Sequence, residues 1–311
     1  MPCWPPVPWG RCGGSALPRR LAMPDLPRLG RIRYINVLPI YYAIDRAICP
    51  NGFQVVSGTP AELNEQMRGG FLEVSAISSY EYGRRFRDYL LLPELSISTV
   101  GDVGSVLFFS RLPFQRLSGR EVVLSAASAT SAALVKVVLA ELYGARPLCR
   151  TGAVTDQFAD GVCGMLAIGD EALRLRARGI YPYFLDLGRA WHDLTGLPFV
   201  FGVWAARRDV WERQPDLVTY LHRTLVSSKL QGCNALSDIC RQATAQVNLS
   251  EAELLDYFQK LKYDLDAGQQ EGLTAFFRYL HRYGDLPEMP ELRFIPGGQE
   301  TAFPGPPPQL I

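Results

Sequence analysis

Several stretches of this chain set side-chain hydroxyls where a strand hands over to a helix. The densest runs from Ser125 to Leu134, with Ser128, Thr130 and Ser131 at the turn. The first N–H groups of a helix lack intrahelical partners. Together with the helix dipole and three hydroxyls they make a site for an anion. No lysine follows as in a phosphate-binding P-loop, and the turn carries too many side chains for a dinucleotide fingerprint. The chemistry that fits is capture of a carboxylate. The ordinary alternative is that one of these residues is simply an N-cap. Similar turns recur at Thr59 and at Ser78-Ser79, which favours the functional reading. Asn36 closes a strand, at the end where open α/β sheets place ligands. Ser105 follows Gly104, which lets backbone or ligand come close, although the ordinary role of a lone serine in a strand is structural. Asp170 opens a helix, where dipole stabilisation is its simplest role.

The elements that position these residues follow from apolar periodicity. Residues 31–36 alternate as a strand, and Pro39 opens a helix to about 48. A strand at 53–57 leads into Thr59-Pro-Ala-Glu62, a capping box with proline at the first helical position. A strand at 72–77 leads into a second box, Ser78-Ser-Tyr-Glu81. This β-α-β-α-β-α start predicts a mostly parallel sheet. Strands at 95–99 and 103–110 follow, then a loop to 119. Residues 121–124 form a buried strand before a helix at 132–143, and 162–168 form another before a helix to about 178. A strand at 183–187, a loop at 188–198 and an apolar strand at 199–206 precede a mostly helical stretch to about 283. Two crossings, near 110 and near 200, predict a discontinuous first lobe of residues 30–109 plus 200–285. It encloses a second lobe of residues 110–199, with the ligand between them.

A net charge of +1 with no basic run argues against a nucleic-acid partner. The seven cysteines form no CxxC pair and are odd in number, so neither a zinc site nor a disulfide framework is expected. A reducing cytoplasm fits them best. No apolar run approaches the ~20 residues needed to span a bilayer. Residues 1–29 lack the roughly 7–15-residue apolar core of a secretory signal. They read as a disordered or mis-called extension, with Met23 as the expected start. Residues 286–311 read as a Pro-rich C-terminal tail.

Seven segments, in order, resemble the chorismate dehydratases of the futalosine route to menaquinone. They are Tyr34-Ile-Asn-Val-Leu-Pro39, Gly58-Thr-Pro-Ala-Glu-Leu-Asn64, Ile77-Ser-Ser-Tyr-Glu-Tyr82, Gly104-Ser-Val-Leu-Phe108, Ser128-Ala-Thr-Ser131, Ile168-Gly-Asp-Glu-Ala-Leu173 and Thr195-Gly-Leu-Pro-Phe-Val200. The resemblance spans about residues 31–285. It implies an α/β, two-lobed, type II periplasmic-binding-protein-like fold with the ligand cleft between lobes. It implies dehydration of chorismate to 3-[(1-carboxyvinyl)oxy]benzoate without metal or organic cofactor. The family's functional asparagine and serine fall on Asn36 and Ser105.

Chorismate carries two carboxylates and a ring hydroxyl. Thr130 and Ser131, with Ser128, are expected to hold one carboxylate. Ser78 or Ser79 would supply contacts from the other lobe, and Asp170 also stands among the expected substrate contacts. The histidines offer little as a base: His222 and His281 lie in patterned helices, and only His192 has a place near the cleft. Glu81 is explained by its capping box, and nothing singles out Asp102. The remaining acceptor is the substrate's own enolpyruvyl carboxylate, with Asn36 and Ser105 fixing its geometry. Two other readings fit the same fold. One is the 1,4-dihydroxy-6-naphthoate synthase of that pathway. The other is a solute-binding protein for a small carboxylate, which would need an export signal ahead of the domain.

Overall fold

A computed structural model describes residues 26–49, 52–154, 161–247 and 249–296. The expected start at Met23 and the far tail, 297–311, lie outside the described residues. The strands are β1 (Arg28–Ile32), β2 (Gln54–Gly58), β3 (Val74–Ser78), β4 (Tyr89–Thr99), β5 (Val106–Ser110), β6 (Glu121–Ser125), β7 (Leu148–Gly152), β8 (Val162–Ile168), β9 (Tyr183–Asp186), β10 (Phe199–Arg207) and β11 (Leu261–Lys262). They divide between two sheets. The first has the order β11-β4-β10-β3-β1-β2 and the second β7-β6-β8-β5-β9. Helices Leu38–Asp45 and Pro60–Arg68 link β1, β2 and β3. Helical crossovers of this kind bring successive strands back in parallel, and β1 pairs parallel with both β2 and β3. The chain leaves after β4, builds the second sheet, and returns as β10. That strand lies antiparallel between β3 and β4, with Val203 opposite Ile77.

The crossing expected near residue 110 lies earlier. β5 pairs with β8, Val106 opposite Ile168, and with β9, Leu107 opposite Asp186. It therefore belongs to the second lobe, and Ser105 stands at the crossing rather than within a first-lobe strand. A strand that is buried along its whole length, as β5 is, shows by its apolar run that it is central. The run carries no information about which sheet receives it.

The return crossing is locked by packing. Trp191, in helix Leu187–Thr195, meets Phe199, Phe276 and Tyr279 edge-on at centroid distances of 5.3, 6.1 and 5.6 Å. Such pairs contribute roughly 0.5–1.5 kcal/mol each beyond burial. In the same helix, a Cβ on Gly188 would stand 2.5 Å from the Gly101 carbonyl oxygen, so the two crossing segments meet where only glycine fits. The tail expected from 286 onward packs as far as residue 296. Leu286 and Ile295 are buried. Leu91 donates to the Arg293 carbonyl at 2.7 Å and accepts from Ile295 at 3.0 Å, which lays the segment along β4.

Candidate active site

Asn36 sits in a single 3-10 turn, Ile35–Val37, between β1 and the helix that Pro39 helps to start. Its side chain lines a cavity between the lobes. Its Oδ1 is buried and has no hydrogen-bond partner. Buried polar atoms are rarely left so, and each exception asks for a reason. From the second lobe, helix Gly169–Arg178 packs against this turn and brings the Asp170 carboxylate within electrostatic reach of the Ile35 amide. Burial pushes the Asp170 pKa up, and the Ile35 amide opposes the rise. Asp170 itself is not among the residues of the cavity wall. Its neighbour Gly169 is, at φ +60°, where a Cβ would stand 3.0 Å from the Tyr34 ring.

Ser105 forms the opposite part of the wall. The loop before it is held by Asp186, the last residue of β9 and the N-cap of helix Leu187–Thr195. That carboxylate accepts from Gly188 and Arg189 in its own helix, at 3.0 and 3.2 Å. It also accepts from Val103 at 3.0 Å and Gly104 at 2.7 Å. Burial raises the Asp186 pKa, and the amides of Val103, Gly104 and Arg189 oppose that. The Ser105 carbonyl accepts from Gly169 at 2.7 Å. Its hydroxyl lies 3.0 Å from the phenol of Tyr257, and both are buried. Neither Asp186 nor Tyr257 was singled out from sequence. Asp186 carried a usable signal, an acid just ahead of a helical turn; Tyr257 carried none.

Ser78 ends β3 and caps helix Ser79–Arg85, accepting from Glu81 N at 3.1 Å. The expected capping box is only half made. Asn64 takes the reciprocal place: its Oδ1 accepts from Ser78 N at 3.1 Å and its Nδ2 donates to Ser78 Oγ at 3.0 Å. Glu81 turns instead to Arg68 and Tyr89. With two N–H donors already on Ser78 Oγ, its own proton remains for the cavity it lines. Ser128 and Ser131 line the same cavity and stand 2.9 Å apart, hydroxyl to hydroxyl.

Three expected contacts stand off the cavity wall. Ser79 donates to the Val200 carbonyl at 2.6 Å. Thr130 accepts from Tyr80 N at 2.9 Å, a bond between the lobes. Asp170 lies behind the Asn36 turn, its Oδ1 buried without a hydrogen-bond partner. None of the three lines the cavity. Nor does His192, whose helix packs at the return crossing. His222 is buried with Nε2 against the Pro93 carbonyl, and burial lowers its pKa. Thr59 is the N-cap of a complete capping box with Glu62.

Beside Asn36 and the serines, apolar side chains such as Ile77, Val106 and Phe201 complete the wall. Tyr34 is its only titratable group among the described residues, and burial pushes its pKa up to about 12. No cluster of three or more His, Cys, Asp or Glu side chains among the described residues is placed to hold a metal ion. The cavity measures about 50 Å³, room for a few waters, whereas ligand pockets ordinarily span roughly 300–1,000 Å³. A ligand can enter only if the lobes part. A groove of about 900 Å³ lies outside, bordered by Tyr80 and Ala129, so the Thr130–Tyr80 bond stands at the partition.

Two α/β lobes, crossed twice by the chain and facing each other across an uncharged cleft of apolar side chains, alcohols and one amide, define a protein of the periplasmic-binding-protein-like class. Solved structures agree on the fold. The periplasmic aliphatic sulphonate binding protein of Escherichia coli aligns with TM-score 0.60 at 12% identity, over 88% of this chain and 98% of that one. A structural-genomics protein of Archaeoglobus fulgidus aligns with TM-score 0.64 at 16% identity, over 83% and 98%. The chain belongs to the menaquinone biosynthesis family, whose model matches residues 27–282. Its relatives include chorismate dehydratase of Thermus thermophilus, 31% identical over 264 residues, 80% of this chain and 93% of that protein. Chorismate dehydratase of Campylobacter jejuni is 30% identical over 176 residues, 55% and 64% of the two chains.

Proposed function

We propose that this protein is a carbon–oxygen hydro-lyase that converts chorismate to 3-[(1-carboxyvinyl)oxy]benzoate in menaquinone biosynthesis by the futalosine route. The observation that carries the reading is the make-up of the cavity wall. It offers alcohols, an amide and helix N-termini, which suit carboxylates, and no group suited to be a base near neutral pH. Tyr34, with its raised pKa, stays protonated.

The base is then the substrate's enolpyruvyl carboxylate. It takes the proton from the ring carbon bearing the ether. The electrons of that C–H bond become ring π electrons as the neighbouring C–O bond breaks, and the departing hydroxyl takes up the proton that the carboxylate removed, leaving as water and returning the carboxylate to its charged form. Asn36 and Ser105 hydrogen-bond the substrate in the reacting geometry, while Ser78, Ser128 and Ser131 hold its carboxylates. Alignment of an internal base can lower a barrier by up to roughly 7–11 kcal/mol. We place the reaction in the cytoplasm, in keeping with the free thiols of Cys49, Cys149, Cys163, Cys233 and Cys240. No helix among the described residues is long and apolar enough to cross a membrane.

The test is incubation of purified protein with chorismate and detection of the aromatic product. Chorismate left unchanged sinks the reading. Chorismate bound but unchanged would select a solute-binding role, which the same fold serves.

A further inference from the structure

Tyr257 lies outside the cavity wall, on helix Glu251–Lys260, whose start is fixed by a Ser250–Glu253 capping box. Its ring is buried in the first lobe. Its phenol reaches one hydrogen-bond partner among the described residues, Ser105 Oγ at 3.0 Å. The neighbouring Tyr263 hydroxyl makes no hydrogen bond. Two proton arrangements are possible. If Ser105 donated to Tyr257, the phenol proton would be buried with no acceptor, which is costly. If Tyr257 donates, its proton is satisfied and the Ser105 proton is free to point into the cavity. The second arrangement wins. Burial pushes the Tyr257 pKa up, so the phenol keeps its proton and remains a donor.

We infer that Tyr257 is a positioning residue: by donating to Ser105 Oγ it turns the serine into a dedicated hydrogen-bond donor aimed at the substrate. The inference rests on the chorismate reading above. Its geometric support is independent of it. Ser105 is held at three points, by Gly169 through its carbonyl, by Asp186 through the preceding amides, and by Tyr257 through its hydroxyl. The backbone contacts fix where the serine is, and the phenol fixes which way its proton faces.

A double-mutant cycle with Tyr257→Phe and Ser105→Ala tests this in the full chain, with chorismate as substrate and thermal melting in parallel. Tyr257→Phe keeps the ring and removes the donor. It should lower kcat by about tenfold, the rate equivalent of one neutral hydrogen bond, with KM changed less than twofold. In the Ser105→Ala background the same change should cost nothing further. Tyr257→Met, which fills the site without a donor, replaces the Phe variant if that one does not fold. Wild-type kcat in the single variant, or losses that multiply in the double variant, would overturn the assignment. Chorismate untouched by the wild type would sink the proposed reaction instead, so the two failures are distinguishable.

Discussion

The two walls of the cleft are built on opposite plans. Around Ser105 the anchoring groups are paired: Asp186 gathers four backbone N–H groups, Gly169 fills the serine carbonyl and Tyr257 meets the hydroxyl, while the Tyr263 hydroxyl behind them has no partner. Around Asn36 the accounting is incomplete. The amide Oδ1 is buried without a partner, and so is Oδ1 of Asp170, which lies across from the same turn. A satisfied network rigidifies what it holds, whereas an unsatisfied buried group raises the energy of the structure that contains it. The difference teaches where each wall does its work. The Ser105 wall is tied into the fold at the crossing, and the Asn36 wall presents an acceptor that no group of the protein fills.

The largest expected effect breaks the satisfied wall. Asp186→Ala removes a helix N-cap and strands four amides, two of them in the loop that carries Ser105. It should cost on the order of 3 kcal/mol of stability and nearly all activity, read by denaturant unfolding and by turnover. A variant as stable as the wild type would show that the amides find other partners. Asn36→Leu probes the other wall and should give the reverse pattern. It removes an unsatisfied atom at similar volume, so the melting temperature should hold or rise. Turnover should fall by about 100-fold or more, the usual loss when one preorganised polar contact to the reacting groups is removed. Full activity in that variant would end the assignment of Asn36 to the reaction.

Much of this contrast was legible in the residues, but not its partners. The Thr59–Glu62 box, the strand-to-helix turns and the two-lobed plan follow from local pattern. Asn36, Ser78, Ser128 and Ser131 could be named from type and position, Ser105 through the family resemblance alone, and all five line one cavity. Choosing between neighbours could not be done so. Ser78 faces the cavity while Ser79 bonds to Val200, and Ser131 faces it while Thr130 meets Tyr80. Adjacent helical positions point about 100° apart, and composition does not say which one faces in. Tyr257 was beyond reach for another reason: its partner Ser105 lies 152 residues away, and a tyrosine in an amphipathic helix reads as core. β7 was missed because it is an exposed edge strand without alternation.

Thr130→Val sharpens the comparison at the partition between groove and cavity. Valine keeps the volume and leaves the Tyr80 amide without its acceptor. Stability should fall by about 1–2 kcal/mol, while kcat holds within a few fold, because Thr130 is outside the cavity wall. A hundredfold loss of kcat with unchanged stability would put Thr130 back on the substrate.

The smallest expected effect depends on pH and bears most directly on the chemistry. Burial raises the Asp170 pKa above its ordinary 3.8, so at neutral pH the folded protein carries a charge that the half-buried site disfavours. For an acid shifted in this direction, the cost to folding is full above the raised pKa and fades as the pH falls through it towards the unfolded value. Asp170→Asn removes the charge at nearly unchanged volume. The variant should melt slightly higher than wild type at about pH 7–8, and the two should converge by about pH 4. A gain that grows as the pH falls would contradict the sign of the shift. Turnover of the same variant separates two accounts of proton removal. If the substrate's carboxylate takes the proton, Asp170→Asn keeps most of its activity, since Asp170 lies outside the cavity wall. If activity disappears while the turn is intact, Asp170 is the base, and the unsatisfied wall holds a reacting group rather than only a place for one.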